Sequence, residues 1–240
     1  MNNLIIGNCI YNEEHRFLIP WLETISKLTD KIVIIDDGST DNSLSICSKY
    51  TQYIFQTNRM YKLGENKIRK LWWDKASEIA NNGDFLFPID ADNIITNNSI
   101  LNFEKEMSIC QKLDGDAISM HCYDMWNEKQ YREDPEKGWI QSLIPYTFCV
   151  KLNKNREYYF YDMYIHCGSV PINSYFSAYY SKLQIKHLGF STPELRKEKI
   201  EFYKEYDPYD IIGAKNKKYA SFLDENPILK NFKDNFEDVK

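Results

Sequence analysis

Lys31-Ile-Val-Ile-Ile-Asp-Asp-Gly-Ser-Thr-Asp41 sets an unbroken apolar run directly against a turn. Consecutive aliphatic residues with no polar alternation read as a strand covered on both faces, the habit of parallel sheets. Asp37-Gly38-Ser39 is turn chemistry, and the residues after it are helix-capping types, so strand, turn and helix follow in order. Upstream, Leu4 to Cys9 is a short apolar strand, and Leu18, Trp21, Leu22, Ile25 and Leu28 recur at helical spacing, with Pro20 near that helix's first turn. Downstream, Tyr53 to Gln56 reads as a third strand. Ile68, Leu71, Trp72, Ala76, Ile79 and Ala80 form one stripe of a helix from about Gly64 to Asn81, and Asp84-Phe-Leu-Phe-Pro-Ile-Asp90 is a fourth strand. This β-α-β-α-β alternation predicts an α/β fold with a mostly parallel sheet, right-handed crossovers, and ligands at the strands' carboxyl ends.

From residue 98 the pattern changes. A helix carrying Ile100, Leu101, Met107 and Cys110 leads to a strand from Ala117 to Tyr123, then to a polar, aromatic loop from Asp124 to Trp139 of the length that is commonly functional. Strand-like runs follow at Tyr146 to Leu152, Tyr158 to Cys167 and Lys182 to Leu188, which places a mixed second half on the same sheet. Ser191-Thr-Pro-Glu194 reads as a capping box that opens a charged helix to about Tyr206, with a polar, peripheral tail beyond it. The expected organisation is one domain over residues 1–190, with halves 1–95 and 96–190, and a helical extension over 191–240.

Composition narrows the function. The 240 residues are 43% hydrophobic and 27% charged with 9 Gly and 8 Pro, which excludes collagen-like, low-complexity and disordered chains. A net charge of -5 without a basic block argues against a nucleic-acid partner. No stretch has the length of a membrane span, and the amino terminus lacks the basic region of a signal peptide, so a cytoplasmic protein with its six cysteines reduced is expected. His121-Cys122 and His166-Cys167 invite a zinc reading, but neighbouring residues on a strand face opposite ways, and buried thiols account for them better.

Two pairs of carboxylates carry the chemistry. Asp36-Asp37 ends one apolar strand and Asp90-Ala91-Asp92 ends another, so both are expected at one edge of the sheet. Either motif alone is ordinary turn sequence. Together they crowd like charge, and a hard divalent ion shared with phosphate oxygens is the usual remedy. Tyr11-Asn-Glu-Glu14, Ile35-Asp-Asp-Gly-Ser-Thr-Asp41 and Ile89-Asp-Ala-Asp-Asn93, in that order after apolar strands, resemble the family 2 glycosyltransferases of GT-A fold. The resemblance is specific over residues 4–95 and weaker beyond, where His166 and His187-Leu-Gly-Phe190, followed by Arg196 and Lys199, are similar to members lacking the familiar Glu-Asp motif.

The resemblance implies a metal-dependent, inverting transfer of a sugar from a nucleoside diphosphate sugar, a UDP-sugar by preference, to a sugar, lipid or protein acceptor. It places the donor nucleotide among Cys9, Tyr11, Asn12, Glu13, Asp37, Gly38, Ser39, Arg69, Asp90 and Ala91. Tyr11 would stack on the base, and Asp37 would accept from a base N–H. Asp92, with His187 as a late ligand, would hold Mn²⁺ or Mg²⁺ against the diphosphate and neutralise the leaving group. Asn93 stands where many members carry a third carboxylate. Glu65 and Arg69 also have the spacing of an ordinary helical ion pair, and a lone His such as His187 is more often structural.

Inverting transfer needs a base within reach of the acceptor hydroxyl. Glu133-Asp134 is the nearest substitute for the missing dyad, with Asp124 and His166 as rivals, and a solvated loop accounts for the two carboxylates equally well. Trp126, Tyr131 and Trp139 could stack on a sugar ring or be buried. Two other functions fit parts of the sequence. A catalytically silent nucleotide-sugar-binding domain would share the donor half. A haloacid-dehalogenase-type phosphatase would share Asp90-x-Asp92 but calls for Gly-Thr where Asn93-Ile94 stands.

Overall fold

The computed structural model describes residues 1–207 and 217–235. Its main sheet has eight strands: β1 (Leu4–Ile10), β2 (Ile32–Asp36), β3 (Tyr53–Gln56), β4 (Phe85–Pro88), β5 (Asn93–Ile95), β6 (Ala117–Asp124), β8 (Tyr146–Lys151) and β9 (Ala178–His187). A short β7 (Gln130–Arg132) pairs antiparallel with β10 (Leu229–Asn231) in a second, two-stranded sheet. The helices are α1 (Leu18–Ile25), α2 (Ser43–Cys47), α3 (Glu65–Ile79), α4 (Asn97–Lys112), α5 (Pro193–Tyr206) and α6 (Lys217–Ala220).

The order across the main sheet is β3-β2-β1-β4-β8-β6-β9-β5. The β3-β2-β1-β4 half is parallel throughout, and antiparallel β8 joins it to β6. This mixed, largely parallel α/β sheet is the GT-A arrangement expected. The apolar runs of β1, β2 and β4 are buried on both faces because helices cover both sides. One core packs α1 against one face of the sheet, and a second packs Ile68, Trp72, Trp73 and Ala76 of α3 against the other. Gly7 of β1 is forced by close approach: its φ is 138°, and a Cβ there would lie 2.0 Å from the Val33 carbonyl oxygen.

Several expectations need correction. Tyr158 to Cys167 forms no strand. Tyr158 and Phe160 pack on α3, at 5.0 and 6.5 Å from the Trp73 ring, and the segment is irregular backbone. Leu101 lies on the solvent side of α4 rather than in its apolar stripe. The cap of α5 falls one residue later than expected, at Thr192, whose side chain accepts from the Leu195 N–H. The segment after α5 is neither wholly helical nor peripheral. It contributes β10, and Phe222 is buried with Trp126, Trp139 and Phe190. The parts of the predicted extension at 208–216 and 236–240 lie outside the described residues.

Candidate active site

The carboxyl ends of β1, β2 and β4 open into a cleft roofed by α5. Three adjoining cavities, of about 440, 400 and 350 Å³, all have Asp90 in their walls. The first runs past Cys9, Tyr11, Asp37 and Arg59, the second past Glu13, Arg16, Asp92 and Lys199, and the third past Asp124, His166 and Tyr203. The sequence motifs therefore converge on one place.

Much of the Tyr11-to-Glu14 and Asp36-to-Asp41 chemistry is spent joining two loops. Asn12 has a left-handed backbone (φ 51°), its N–H donates to Ser39 Oγ at 3.0 Å, and its Oδ1 accepts from the Thr40 N–H at 2.8 Å. The Glu13 N–H donates to Ser43 Oγ at 2.8 Å, and Glu14 accepts from the backbone and side chain of Asn42. Gly38, with φ 81°, makes the turn. Asp37 is buried and already saturated: it accepts from Thr57 Oγ1 at 2.5 Å, from the Met60 and Tyr61 N–H groups, and from Arg59 at 3.4 Å. Arg59 also lies 3.5 Å from the centroid of the Tyr11 ring, on the surface expected to receive a base.

Arg69 binds the motifs together. Its guanidinium reaches Glu65 at 2.7 Å and both Asp90 oxygens at 3.2 and 3.3 Å, and Asp90 also accepts from Asn8 Nδ2 at 2.7 Å. Burial disfavours a charge on Arg69, but Asp90 and Glu65 hold its proton more firmly than usual. Burial likewise opposes the charge of Glu65, and Arg69 outweighs it, keeping that carboxyl below its ordinary range. The helical spacing of Glu65 and Arg69 is thus a real ion pair that also reaches a third residue. Burial pushes the Cys9 thiol well up, so it lines the cleft as a neutral group.

Asp92 Oδ2 stands 3.2 Å from His187 Nε2 and 3.5 Å from Lys199 Nζ. Burial alone would raise Asp92, but His187 and Lys199 hold it well below the usual carboxylate range. His187 Nδ1 meets Asp124 Oδ1 at 2.6 Å, which fixes the ring. Ala91 is buried between the two aspartates. Next to them, burial pushes Glu13 up to about 7, although Arg16 lies 3.8 Å away, and Asp92 adds to the rise. The expected crowding of bare carboxylates is not what the fold builds. Arg59, Arg69 and Lys199, with His187, face them directly.

The candidate bases separate. Glu133 is held by Lys230 and by Ser142 Oγ, Asp134 pairs with the buried Arg132 at 3.3 Å, and neither lines the three cavities. His166 instead lines the third cavity. It sits in a left-handed conformation (φ 62°), stacked 5.4 Å from Tyr203 and hydrogen-bonded to the Tyr219 hydroxyl. Trp126 and Trp139 are core residues that pack with Phe190 and Phe222 and sandwich Arg132 at 4.9 and 4.8 Å. Arg59, Arg16 and Tyr203 carry no motif in the sequence, since the fold alone brings them to the cleft. Lys199 follows His187 at a distance that a family likeness can flag.

Among the described residues no group of three His, Cys, Asp or Glu side chains is arranged to hold a metal. Asp92 and His187 nevertheless suit a hard divalent ion as a pair. Two neighbouring ligands of an octahedral Mg²⁺ stand about 3 Å apart, close to the 3.2 Å between Asp92 Oδ2 and His187 Nε2. Substrate oxygens and water would complete such a shell.

Comparison with known proteins places the chain in a family. The family model for glycosyl transferase family 2 matches residues 6–182. The chain belongs to that family, and the phosphatase reading of Asp90-x-Asp92 is set aside. It is 30% identical over 119 residues to the glycosyltransferase GlyG of Streptococcus pneumoniae, covering 48% of this chain and 37% of that one. It is 26% identical over 138 residues to an uncharacterised glycosyltransferase of Mycoplasma pneumoniae, covering 52% and 42%. The chain thus spans about two fifths of the length of these relatives. The crystal structure of S. aureus TarS 1-349 superposes over 93% of this chain and 71% of that one, with a TM-score of 0.49 and 18% identity. A second TarS structure, in complex with UDP, gives 0.44 and 16% over 92% and 70% of the two chains.

Among the described residues no helix is long and apolar enough to cross a membrane.

Proposed function

We propose that the chain transfers a sugar from a nucleoside diphosphate sugar, with a UDP-sugar favoured, to an acceptor hydroxyl with inversion. The observation that carries this reading is the convergence of Tyr11, Asp37, Arg69, Asp90 and Asp92 on one cleft that branches at Asp90. The first branch has the apolar ring and the polar floor that a nucleotide base needs. For a base to reach the Tyr11 face, Arg59 must swing aside or become the upper layer of the stack. Asp37 supports that floor by fixing the Met60 and Tyr61 backbone and does not itself need to touch the base.

Arg69 is aimed beside Asp90, where a diphosphate would lie, and its fixed fork suits phosphate oxygens. When bound, Mn²⁺ or Mg²⁺ held by Asp92 and His187 would offset the charge that develops on the leaving diphosphate. Asp124 keeps His187 in the required orientation. The third branch, walled by Phe148, Phe190 and Tyr203, takes the acceptor. His166 is the proton acceptor there, because Glu133 and Asp134 are committed to ion pairs elsewhere.

A thermal-shift panel of UDP, GDP, ADP and CMP with Mn²⁺ tests the reading. At least one nucleoside diphosphate is expected to raise Tm in wild type and to lose most of that effect in Arg69→Met. The reading fails if no nucleotide stabilises the protein.

A further inference from the structure

The pair of atoms that would hold a metal is already joined to a cation. His187 is held from both sides, its Nδ1 2.6 Å from Asp124 Oδ1 and its Nε2 3.2 Å from Asp92 Oδ2. Asp92 is the carboxylate of the pair, and a positive group beside it offsets its buried charge. Lys199 Nζ stands 3.4 Å from His187 Nε2 and 3.5 Å from Asp92 Oδ2, within reach of each.

The surrounding fold holds it there. Lys199 projects from α5, the same helix that brings Phe202, Tyr203 and Tyr206 over the cleft. Its side chain is 19% exposed, so the charge is largely withdrawn from water. Gly189 makes the room: a Cβ there would lie 2.5 Å from Lys199 Cε, 2.6 Å from Lys199 Nζ and 2.6 Å from Asp92 Oδ2. Opposite charges compensate at short range, whereas a divalent ion beside this ammonium would meet direct repulsion.

We infer that Lys199 is a resident cation of the Asp92–His187 site, which keeps both ligands paired and oriented and excludes a divalent metal until an anionic ligand draws Lys199 away. The assignment rests on the proposed metal-assisted reading of this cleft and adds an order to it. Metal and diphosphate enter together, because the phosphate oxygens offer the ammonium a new partner while the metal takes its place. Diphosphate chemistry, from UDP or any other nucleoside diphosphate, is enough for this exchange.

The test is Mn²⁺ binding to the full chain without nucleotide, followed by the EPR signal of free Mn²⁺. Wild type is expected to bind weakly. Lys199→Met, which keeps most of the aliphatic stem and removes the charge, is expected to bind at least tenfold tighter, and Lys199→Arg to stay near wild type. Adding Asp92→Asn to Lys199→Met is expected to abolish the gain. Where Lys199→Met does not give a native circular dichroism spectrum, Lys199→Gln carries the same expectation. The inference is overturned if the neutral variants bind Mn²⁺ no tighter than wild type, or if the gain survives Asp92→Asn. UDP binding is titrated separately. A protein whose Lys199 variants bind Mn²⁺ as expected but which takes no nucleotide refutes the proposed function and leaves the Lys199 assignment standing.

Discussion

Replacing Arg69 by Met is the perturbation whose size follows most directly from the geometry. The guanidinium, 13% exposed, contacts Glu65, 12% exposed, at 2.7 Å and both oxygens of Asp90, which is 40% exposed. Breaking a buried pair by removing one partner costs about 3–5 kcal/mol, because the other charge stays buried without compensation. Here only Glu65 is stranded in that sense. Asp90 keeps Asn8 and can turn to water, so its share is screened and the low end applies, about 3 kcal/mol. In a chain of this size 1 kcal/mol moves Tm by roughly 2–4 °C, which gives a fall of about 6–12 °C. Urea unfolding at pH 7 measures the loss. The sign with pH follows from Glu65, whose carboxyl Arg69 holds below its usual value. That contribution is present above the unfolded pKa and disappears as pH falls through the folded one. In the variant, Glu65 can take up a proton in mild acid, so the penalty shrinks as pH is lowered. Glu65→Gln in the Arg69→Met background is expected to recover most of the loss, since neighbours in one network do not add. A loss below about 1 kcal/mol at pH 7 would refute the reasoning, because it would mean that the pair is no stronger than a solvent-exposed one.

Other consequences are independent of this one. Burial raises Glu13 to about 7, so below its unfolded value it costs nothing, and the cost grows as pH rises from there toward the folded one. Glu13→Gln is therefore expected to gain up to about 3 kcal/mol on wild type between pH 5 and pH 8 in urea unfolding, and a pH-independent difference contradicts it. His166→Ala is expected to lower acceptor transfer by about 10²–10⁴-fold while leaving nucleotide affinity within a few-fold, as loss of a proton acceptor does. Equal loss in both would make it a structural residue. Trp139→Ala empties the centre of the Trp126, Phe190 and Phe222 cluster and strips Ser221 Oγ of its indole donor, and a fall of about 3–5 kcal/mol is expected in denaturant unfolding. A small effect would mean that this cluster is not a core.

The parts of the molecule legible in the sequence are those governed by local pattern. Ile32 to Ile35 must be covered on both faces, and that requirement alone implies helices on both sides of β2. The stripe of α3 was readable because Ile68, Trp72 and Ala76 repeat at helical period, and both acidic motifs fall where strands end. The rest depends on contacts far apart in the chain. Tyr158 to Cys167 has strand-like composition, yet Tyr158 and Phe160 pack on the Trp73 ring of α3 and the segment pairs with no strand. Trp126 and Trp139 resemble loop platforms until Phe222, about a hundred positions on, closes over them. Glu133 and Asp134 attract attention as adjacent acids, but only the fold shows Lys230 and Arg132 neutralising them. The same holds for Lys199, whose partner Asp92 is 107 residues away, and for Arg59, which reaches the Tyr11 ring from a turn with a left-handed backbone.

The most direct measurement of the central claim is release of nucleoside diphosphate from UDP- and GDP-sugars by the purified chain with Mn²⁺ and no added acceptor. Slow hydrolysis of at least one donor is predicted, reduced by 10²-fold or more, roughly, in Asp92→Asn through loss of leaving-group stabilisation. A chain that binds nucleotides yet releases none from any donor would contradict transfer and describe a binding domain. Hydrolysis untouched by Asp92→Asn would contradict the site.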